Sequence, residues 1–587
     1  MKHNTQPKPP VLRRLLSCIA PYWPYLLLAL FSGIVSVGLT LWAPVLIGRA
    51  VDLLFGPGTV AFAKLVKILL LLAVIIGITA LFQWAMTLCT NHITFHVVHD
   101  LRTNVSQKLQ RVPLKTIDGQ AHGDLISRMT TDIDAVSDGL LQGFSQLFTG
   151  VLTILGTLGF MLSINVSIAL VVVLVTPLSL FVSSYIAKHS YDLFHRQSQL
   201  RGEMSGLVEE LVGNQKIVKA FGYEGKAQAR FERINDELQS CGVKAQFFSS
   251  MTNPCTRFVN AMVYASVGLF GAFTAIHGGV TVGQLSSFLS YANQYTKPFN
   301  EISGVITELQ AALASARRVF ALLDEPEQCA DSPDARPLSQ CRGDVLLENV
   351  CFSYDPQKPL LQNLCLHAKP GMRIAVVGPT GCGKTTLINL LMRFYEIDSG
   401  MISVDGRDQQ LYTRNSLRSQ YGMVLQDSWL FGGTIFENIA YGKPDATEQE
   451  VIRAAKLAHA DAFIRRLPGG YQAQVGEEGG NLSQGQKQLL CIARILLTDP
   501  RMLILDEATS SIDTRTEQAV QRAFDTLMQG RTSFIVAHRL STIEQADLIL
   551  VMKDGQIIER GTHQALLCQN GFYAHLYHSQ FEDPFAK

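Results

Sequence analysis

Gly378, Pro379, Thr380, Gly381, Cys382, Gly383, Lys384 and Thr385 run consecutively, a complete G-x-x-x-x-G-K-[ST] pattern. Such a loop is suited to phosphate. Its glycines let backbone N–H groups close around an anion, and the helix that follows adds a positive partial charge at its start. The apolar strand Arg373 to Val377 precedes it, and the helix-forming stretch Thr386 to Met392 follows. On this reading the loop binds nucleotide, Lys384 reaches the β- and γ-phosphates, and the Thr385 hydroxyl holds Mg²⁺. A second apolar strand, Met502 to Leu505, delivers Asp506 and Glu507 at its C-terminal end, where ligands collect in parallel sheets. Asp506 is expected in the Mg²⁺ shell. Glu507 is expected to orient or deprotonate an attacking water.

These groups need a sheet to hold them. From Asp344 onward strands alternate with helices, beginning with Val345 to Tyr354, which predicts an α/β domain over 344–580 built on a largely parallel sheet. Asp324, Glu325 and Pro326 open a polar, Pro-containing passage to Gly343, read as a linker over 324–343.

The remaining half is of another kind. Charged residues make up only 17% of the 587 and apolar ones 47%, too apolar for an ordinary soluble protein. A net charge of +1 argues against nucleic acid as a partner, since duplex binding shows as a strongly basic domain or stripe. The 11 cysteines include no C-x-x-C pair, so a disulfide or zinc framework is not expected. Lys2, Lys8, Arg13 and Arg14 precede a long apolar run without a cleavage site, which reads as a retained signal anchor.

Stretches without Asp, Glu, Lys or Arg cover 34 residues after Arg14, 32 after Lys67, 49 after Asp138 and 39 after Arg257. A span needs roughly 20 apolar residues. The two shorter stretches therefore hold one helix each, and the two longer ones hold hairpins broken at Ser163 to Ser167 and at His277 to Gly279. Six spans result, at about 22–48, 68–90, 141–162, 168–187, 258–276 and 280–302, within an all-α domain over 21–323 behind a cytoplasmic segment 1–20. With the N-terminus inside, 19 Lys and Arg flank the spans on the cytoplasmic side against Arg49, Lys64 and Lys67 outside. Both termini are therefore expected to be cytoplasmic. The two inner loops are rich in helix formers and read as continuations of the membrane helices. Their tips, near Pro113 to Asp118 and Phe221 to Lys226, are expected to make contacts.

These pieces resemble the nucleotide-binding domain of ABC transporters, and the whole chain from about 12 to 580 resembles the exporter-type (type IV) half-transporters of bacterial multidrug and lipid exporters. Leu482, Ser483, Gln484, Gly485 and Gln486 look like the family signature LSGGQ, just before a helix and about 20 residues upstream of Asp506. The resemblance implies that Ser483, Gly485 and Gln486 meet the γ-phosphate held by a second subunit, so that two chains sandwich two ATP molecules. It implies that Tyr354 stacks on adenine and that Gln426 senses Mg²⁺ and water. It further places Asp513 in the loop crossing to the partner, His538 on the γ-phosphate, Thr386 at the phosphate loop, and the two loop tips on the ATPase domains, the second on the partner chain.

Gln484 stands where the signature has its first Gly. Such changes occur in heterodimeric exporters on the chain that keeps its catalytic Glu, so a heterodimer with a related half-transporter is slightly favoured over a homodimer. Cys382, inside the phosphate loop at a helix start, is expected to have a reactive thiol. Tyr291, Gln294 and Tyr295, with Ser287, share one face of the sixth span, and Arg257 and Asn260, with Tyr264, form a stripe on the fifth. They are candidates for the cargo pathway, with helix-to-helix hydrogen bonding the equal alternative. The leading reading is a translocase of the bacterial inner membrane that hydrolyses ATP to export hydrophobic or amphipathic, multidrug-type compounds. Lipid flipping, peptide export and siderophore uptake are alternatives. An ATP-gated channel or regulatory subunit is the reading from a different class.

Overall fold

The computed structural model describes residues 9–54, 61–425, 428–476, 480–506, 514–536 and 543–581. Contacts divide the chain into two compact units: Met1–Arg111 with Gln120–Glu325, and Val112–Gly119 with Pro326–Lys587.

The first unit is helical. α1 (Val11–Ile19) leads through a short turn into α2 (Trp23–Leu54) and α3 (Phe62–Arg111). After α4 (Leu114–Asp118) come α5 (His122–Met129), α6 (Thr131–Gln142), a π-helical turn at Gly143–Leu147 and α7 (Phe148–Ile164). α8 (Val166–Gly213), α9 (Gln215–Ala220), α10 (Glu224–Ile276) and α11 (Val282–Leu323) complete it. At 1.5 Å per residue the 50 residues of α3 extend roughly 75 Å, well beyond the ~30 Å of a hydrocarbon core. Among the described residues four stretches are long and apolar enough to cross a membrane: Val11–Leu54, Phe62–Arg111, His122–Ile164 and Glu224–Ile276. α8 supplies a shorter apolar piece, Val166–Leu178, while α11 carries Ser, Asn, Gln and Tyr in its N-terminal half. Large apolar side chains point outward, among them Leu70 at 63% exposure and Leu269 at 72%, the arrangement that suits a lipid surround.

Local chemistry sets the turns. The Asn165 side chain accepts from the N–H groups of Ser167 and Ile168 and starts α8. Gly278 takes a φ of +77° after α10, and Thr281 with Gln284 forms a capping box on α11.

Small residues bring α2 and α11 together. A Cβ on Gly283 would lie 1.9 Å from the Gly48 carbonyl oxygen, so only glycine permits this approach. Along the same seam the Tyr291 hydroxyl donates to the Leu41 carbonyl at 2.6 Å and the Ser287 hydroxyl to the Pro44 carbonyl at 2.8 Å. Pro44 itself interrupts the ladder of α2. At the seam's end Asp52 accepts from the Thr281 hydroxyl and the Gly283 N–H, both at 2.7 Å. At the other end of α11, Arg318 Nε donates to Asp132 at 2.8 Å, and Arg14 grips Asp324 with two bonds of 2.7 and 2.8 Å.

The second unit is α/β. β1 (Val345–Phe352), β2 (Leu361–Ala368), β4 (Ser399–Val404) and β5 (Arg407–Asp408) form one antiparallel sheet in the order β2-β1-β4-β5. The main sheet uses β3 (Arg373–Val377), β6 (Tyr421–Val424), β9 (Met502–Asp506), β10 (Thr532–Val536), β11 (Leu548–Lys553) and β12 (Gln556–Gly561). Its order is β12-β11-β3-β10-β9-β6, parallel but for β12. β7 (Gly433–Thr434) pairs with β8 (Gln474–Val475). The helices are α12 (Lys384–Leu391), α13 (Arg414–Arg418), α14 (Ile435–Ala440), α15 (Glu448–Leu457), α16 (Asp461–Ile464), α17 (Gln484–Thr498), α18 (Thr514–Met528), α19 (His563–Gln569) and α20 (Phe572–Phe581).

One core layer, including Leu387, Ile388 and Leu391 of α12, lies with Ile374, Val376, Ile504 and Phe534. The other packs α14, α15, α17 and α18 against alternate residues such as Ala375, Leu503 and Ile535, as strands buried on both faces require. The stretch after Pro326 is held to this unit: Arg414 donates to Asp331 at 2.7 Å and the Arg336 N–H to the Leu411 carbonyl at 2.9 Å.

Candidate functional site

The phosphate loop sits where β3 meets α12. Gly378, Gly381 and Gly383 adopt φ values of 152°, 83° and 103°, conformations open to glycine. A Cβ on Gly378 would stand 2.2 Å from the Met552 carbonyl oxygen, and one on Gly383 2.6 Å from Leu361 Cδ2. The loop is thus pressed against β11 and β2 and bends outward at exposed Pro379, Thr380 and Gly381. Lys384 Nζ donates to the Gly378 carbonyl at 2.7 Å and the Pro379 carbonyl at 3.0 Å, which holds its cation within the loop's curve. Thr385 is exposed in the first turn of α12 and Thr386 is buried at 5% exposure. The first side chain is open to a ligand while the second is turned into the protein. Cys382 is only 4% exposed and belongs to the core beneath the loop. This corrects the expected accessible thiol: packing turns the side chain inward although it stands at a helix start.

Asp506 ends β9. Across three adjacent parallel strands Val376, Val536 and Asp506 share a level, so Asp506 stands two strand spacings, roughly 9.6 Å, from the root of the phosphate loop.

Tyr354, 37% exposed, follows β1. Its ring meets Phe352 and Tyr395 edge to face at 4.9 and 5.0 Å, and its hydroxyl accepts from Asn389 Nδ2 at 3.1 Å. Asn389 and Tyr395 were not singled out from the sequence; their only signal is their place shortly after the phosphate loop, Asn389 within α12 and Tyr395 just past its end. Tyr395 in turn donates to Asp118 of α4 at 2.5 Å. Burial, with the Asp118 carboxylate as its acceptor, pushes the Tyr395 phenol well above its ordinary range. The first loop tip, Val112–Gly119, thereby belongs to the α/β unit.

Ser483 caps α17. Its hydroxyl accepts from the Gln486 N–H at 3.3 Å, and the Gln486 side chain accepts from the Ser483 N–H at 3.0 Å, a reciprocal capping box. Gly485 is buried, whereas Ser483 is exposed at the helix start. Gln484 is half-exposed and fits without disturbing the cap.

Two family descriptions match: ABC transporter transmembrane region over residues 26–299 and ABC transporter over 361–510. The chain belongs to the ABC transporter family. The transporter is 45% identical over 560 residues to the fatty acid ABC transporter ATP-binding/permease protein of Mycobacterium bovis, covering 93% of this chain and 88% of that one. It is 35% identical over 570 residues to the ATP-dependent lipid A-core flippase of Desulfotalea psychrophila, covering 97% and 99%. The solved structure of a bacterial Atm1-family ABC exporter with ATP bound matches with a TM-score of 0.76 at 30% identity, over 98% of this chain and 99% of that one. The transporter is thus an exporter-type half-transporter: a membrane domain and an ATPase domain, coupling ATP hydrolysis to transport together with a second half.

Of the residues the sequence singled out, Gln426, Glu507, Asp513 and His538 lie outside the described residues. The structure brings Tyr354, the phosphate loop and Asp506 to one α/β unit. In the membrane domain Tyr291 is fully buried and Tyr295 is 7% exposed. The Tyr291 hydroxyl ties α11 to α2 through the Leu41 carbonyl, the helix-to-helix bonding that was the alternative to a pathway role. Arg257 is exposed, and the side-chain oxygens of Gln294 and Asn260 are buried without a partner among the described residues.

Proposed function

We propose that two such chains close around two ATP molecules, each held by the phosphate loop of one chain and Ser483 of the other, and that closure drives export of amphipathic molecules bearing an apolar tail. The observation that carries the reading is the phosphate cradle: glycines at positions where a Cβ would strike Met552 or Leu361, with Lys384 curled inside. Thr385 and Asp506 suit Mg²⁺, being oxygen ligands on either side of the phosphate position. Bound there, Mg²⁺ neutralises charge on the terminal phosphates. In the same reading Tyr354 receives the adenine ring, Gln426 and His538 align the γ-phosphate and the water, Glu507 polarises that water, and Asp513 reaches the partner.

The exposed apolar tip around α9 supports a partner chain. Ile217 is 57% and Phe221 81% exposed, on a loop rich in charge, which is the composition of an interface core within a polar rim. The tailed cargo is supported by a cavity of about 460 Å³ with hydrocarbon walls, lined by Leu12 and Leu16 of α1, Leu26 of α2, Leu140 of α6 and Phe148 of α7, and by relatives named for a fatty acid and for lipid A-core. The distribution of basic residues supports cytoplasmic termini, and the bacterial relatives support an inner-membrane location. Reconstituted in vesicles together with a second half-transporter, the chain is expected to hydrolyse ATP and to move a fluorescent fatty acid, both lost in Glu507→Gln; turnover by this chain alone would overturn the slight preference for a heterodimer. Absence of turnover until a second half-transporter is added establishes the heterodimer. A cationic dye moved while the fatty acid is left behind refutes the tailed anionic cargo.

A further inference from the structure

Between the C-terminal end of α2 and the N-terminal end of α3, Arg49, Asp52, Leu53, Lys64, Lys67 and Ile68 line an open recess of about 460 Å³. We infer that this recess binds an anionic amphiphile, with a carboxylate or phosphate head against the three cations and an acyl chain along α2. The inference rests on the proposed export of tailed molecules only for the identity of a delivered cargo; the recess itself is independent of it.

Charge carries the assignment. Lysine and arginine are disfavoured on the translocated side of a membrane domain, yet Arg49, Lys64 and Lys67, the three assigned there, line one cavity. The carboxylate in the same wall offsets one of the three charges without pairing directly with any of them, so the lining keeps a net positive charge. Asp52 spends its two oxygens on the Thr281 hydroxyl and the Gly283 N–H. Among the described residues none of the three cations is in an ion pair. All three are exposed at the rim, while Leu53 and Ile68 supply an apolar floor. A head that is anionic and a body that is hydrocarbon match both parts; a free inorganic anion matches only one.

The acyl path follows from helix geometry. Trp42 lies seven residues before Arg49, two turns of α2 and roughly 10.5 Å along the axis, on the same face. It is 45% exposed. A chain whose head meets Arg49 passes this indole.

The test uses the full chain in phosphatidylcholine nanodiscs, with Trp23, Trp84 and Trp429 changed to Phe so that only Trp42 remains of the four tryptophans, and with ATPase turnover recorded on the same samples. Brominated dodecanoate and brominated phosphatidylglycerol are added separately, with brominated dodecanol as the uncharged control. Saturable quenching by an anionic probe is expected, weakened at least about tenfold in Arg49→Gln/Lys64→Gln/Lys67→Gln, as loss of three cations near a membrane surface implies. Arg49→Lys/Lys64→Arg/Lys67→Arg restores it. Quenching by the free acid alone identifies a delivered single-chain cargo, by phosphatidylglycerol alone a resident lipid, and by both a site shared between them. Equal quenching by the alcohol, or no change in the triple Gln variant, overturns the inference, and with turnover intact it leaves the transport reading standing. Native mass spectrometry with all natural tryptophans, counting dodecanoate adducts on wild type and the triple Gln variant, repeats the comparison without the Phe replacements: fewer adducts on the variant support the site, and equal counts overturn it.

Discussion

Gly283→Ala tests how the membrane helices are held. The added Cβ would lie 1.9 Å from the Gly48 carbonyl oxygen and 2.6 Å from Asp52 Cγ. A carbon resting on a carbonyl oxygen needs about 3.3 Å, so α2 and α11 must part by roughly 1.4 Å at this level. Carried along the seam, that shift stretches the Tyr291 bond from 2.6 Å and the Ser287 bond from 2.8 Å to about 4.0 and 4.2 Å, beyond hydrogen-bond reach. Overpacking costs about 1–3 kcal/mol, and each lost interhelical bond about 0.6 kcal/mol in a membrane setting. The sum, about 2–4 kcal/mol, is expected as a lowered unfolding temperature in detergent. The decisive assay is a double-mutant cycle with Tyr291→Phe. In the Gly283→Ala background the hydroxyl has already lost its acceptor, so its removal should cost much less than in the parent. Equal costs in the two backgrounds would refute a seam that parts as one body, and a Tyr291→Phe variant of parental stability with altered cargo affinity would return this residue to the pathway.

Three further outcomes follow from other sites. Gly378→Ala, whose Cβ would lie 2.2 Å from the Met552 carbonyl, should abolish binding of a fluorescent ATP analogue; retained binding would mean that the loop can move off β11. Arg318 holds the Asp132 carboxyl below its usual range, a depressed folded-state value whose stability is present above the unfolded pKa of about 3.9 and is lost as pH falls through the folded one. The unfolding-temperature gap between wild type and Asp132→Asn should therefore be constant near neutrality and close only in acid; a gap that closes between pH 6 and 8 would contradict it. Tyr395→Phe removes the donor to Asp118 but keeps the ring against Tyr354, so ATP affinity should stay within about twofold while transport per ATP hydrolysed falls; equal loss of both would show that the hydroxyl supports only the nucleotide site.

What the sequence disclosed depended on how local the determinant is. The phosphate loop was legible because its glycine geometry is fixed by neighbours in the chain, and Ser483 because it lies in five consecutive residues that resemble a family signature. Tyr395 and Asp118 are separated by 277 positions, and nothing in either segment announces the other. The face formed by Ser287 and Tyr291 was read correctly as a face; that it meets α2 depends on Gly48 and Gly283 matching across the fold, which spacing within one helix does not encode. Cys382 shows the opposite error: a helix start argues for a reactive thiol, but burial against the sheet decides access.

Among the described residues five helices exceed thirty residues, and α2, α8, α10 and α11 each contain an internal proline, Pro44, Pro177, Pro254 and Pro298. α3 has none. Proline is the usual place for a long helix to bend, so α3 is the member of the set least able to yield along its length. It runs straight into Val112–Gly119, which belongs to the ATPase unit. Among the described residues it is thus the long helix that both lacks an internal proline and leads directly along the chain into that unit.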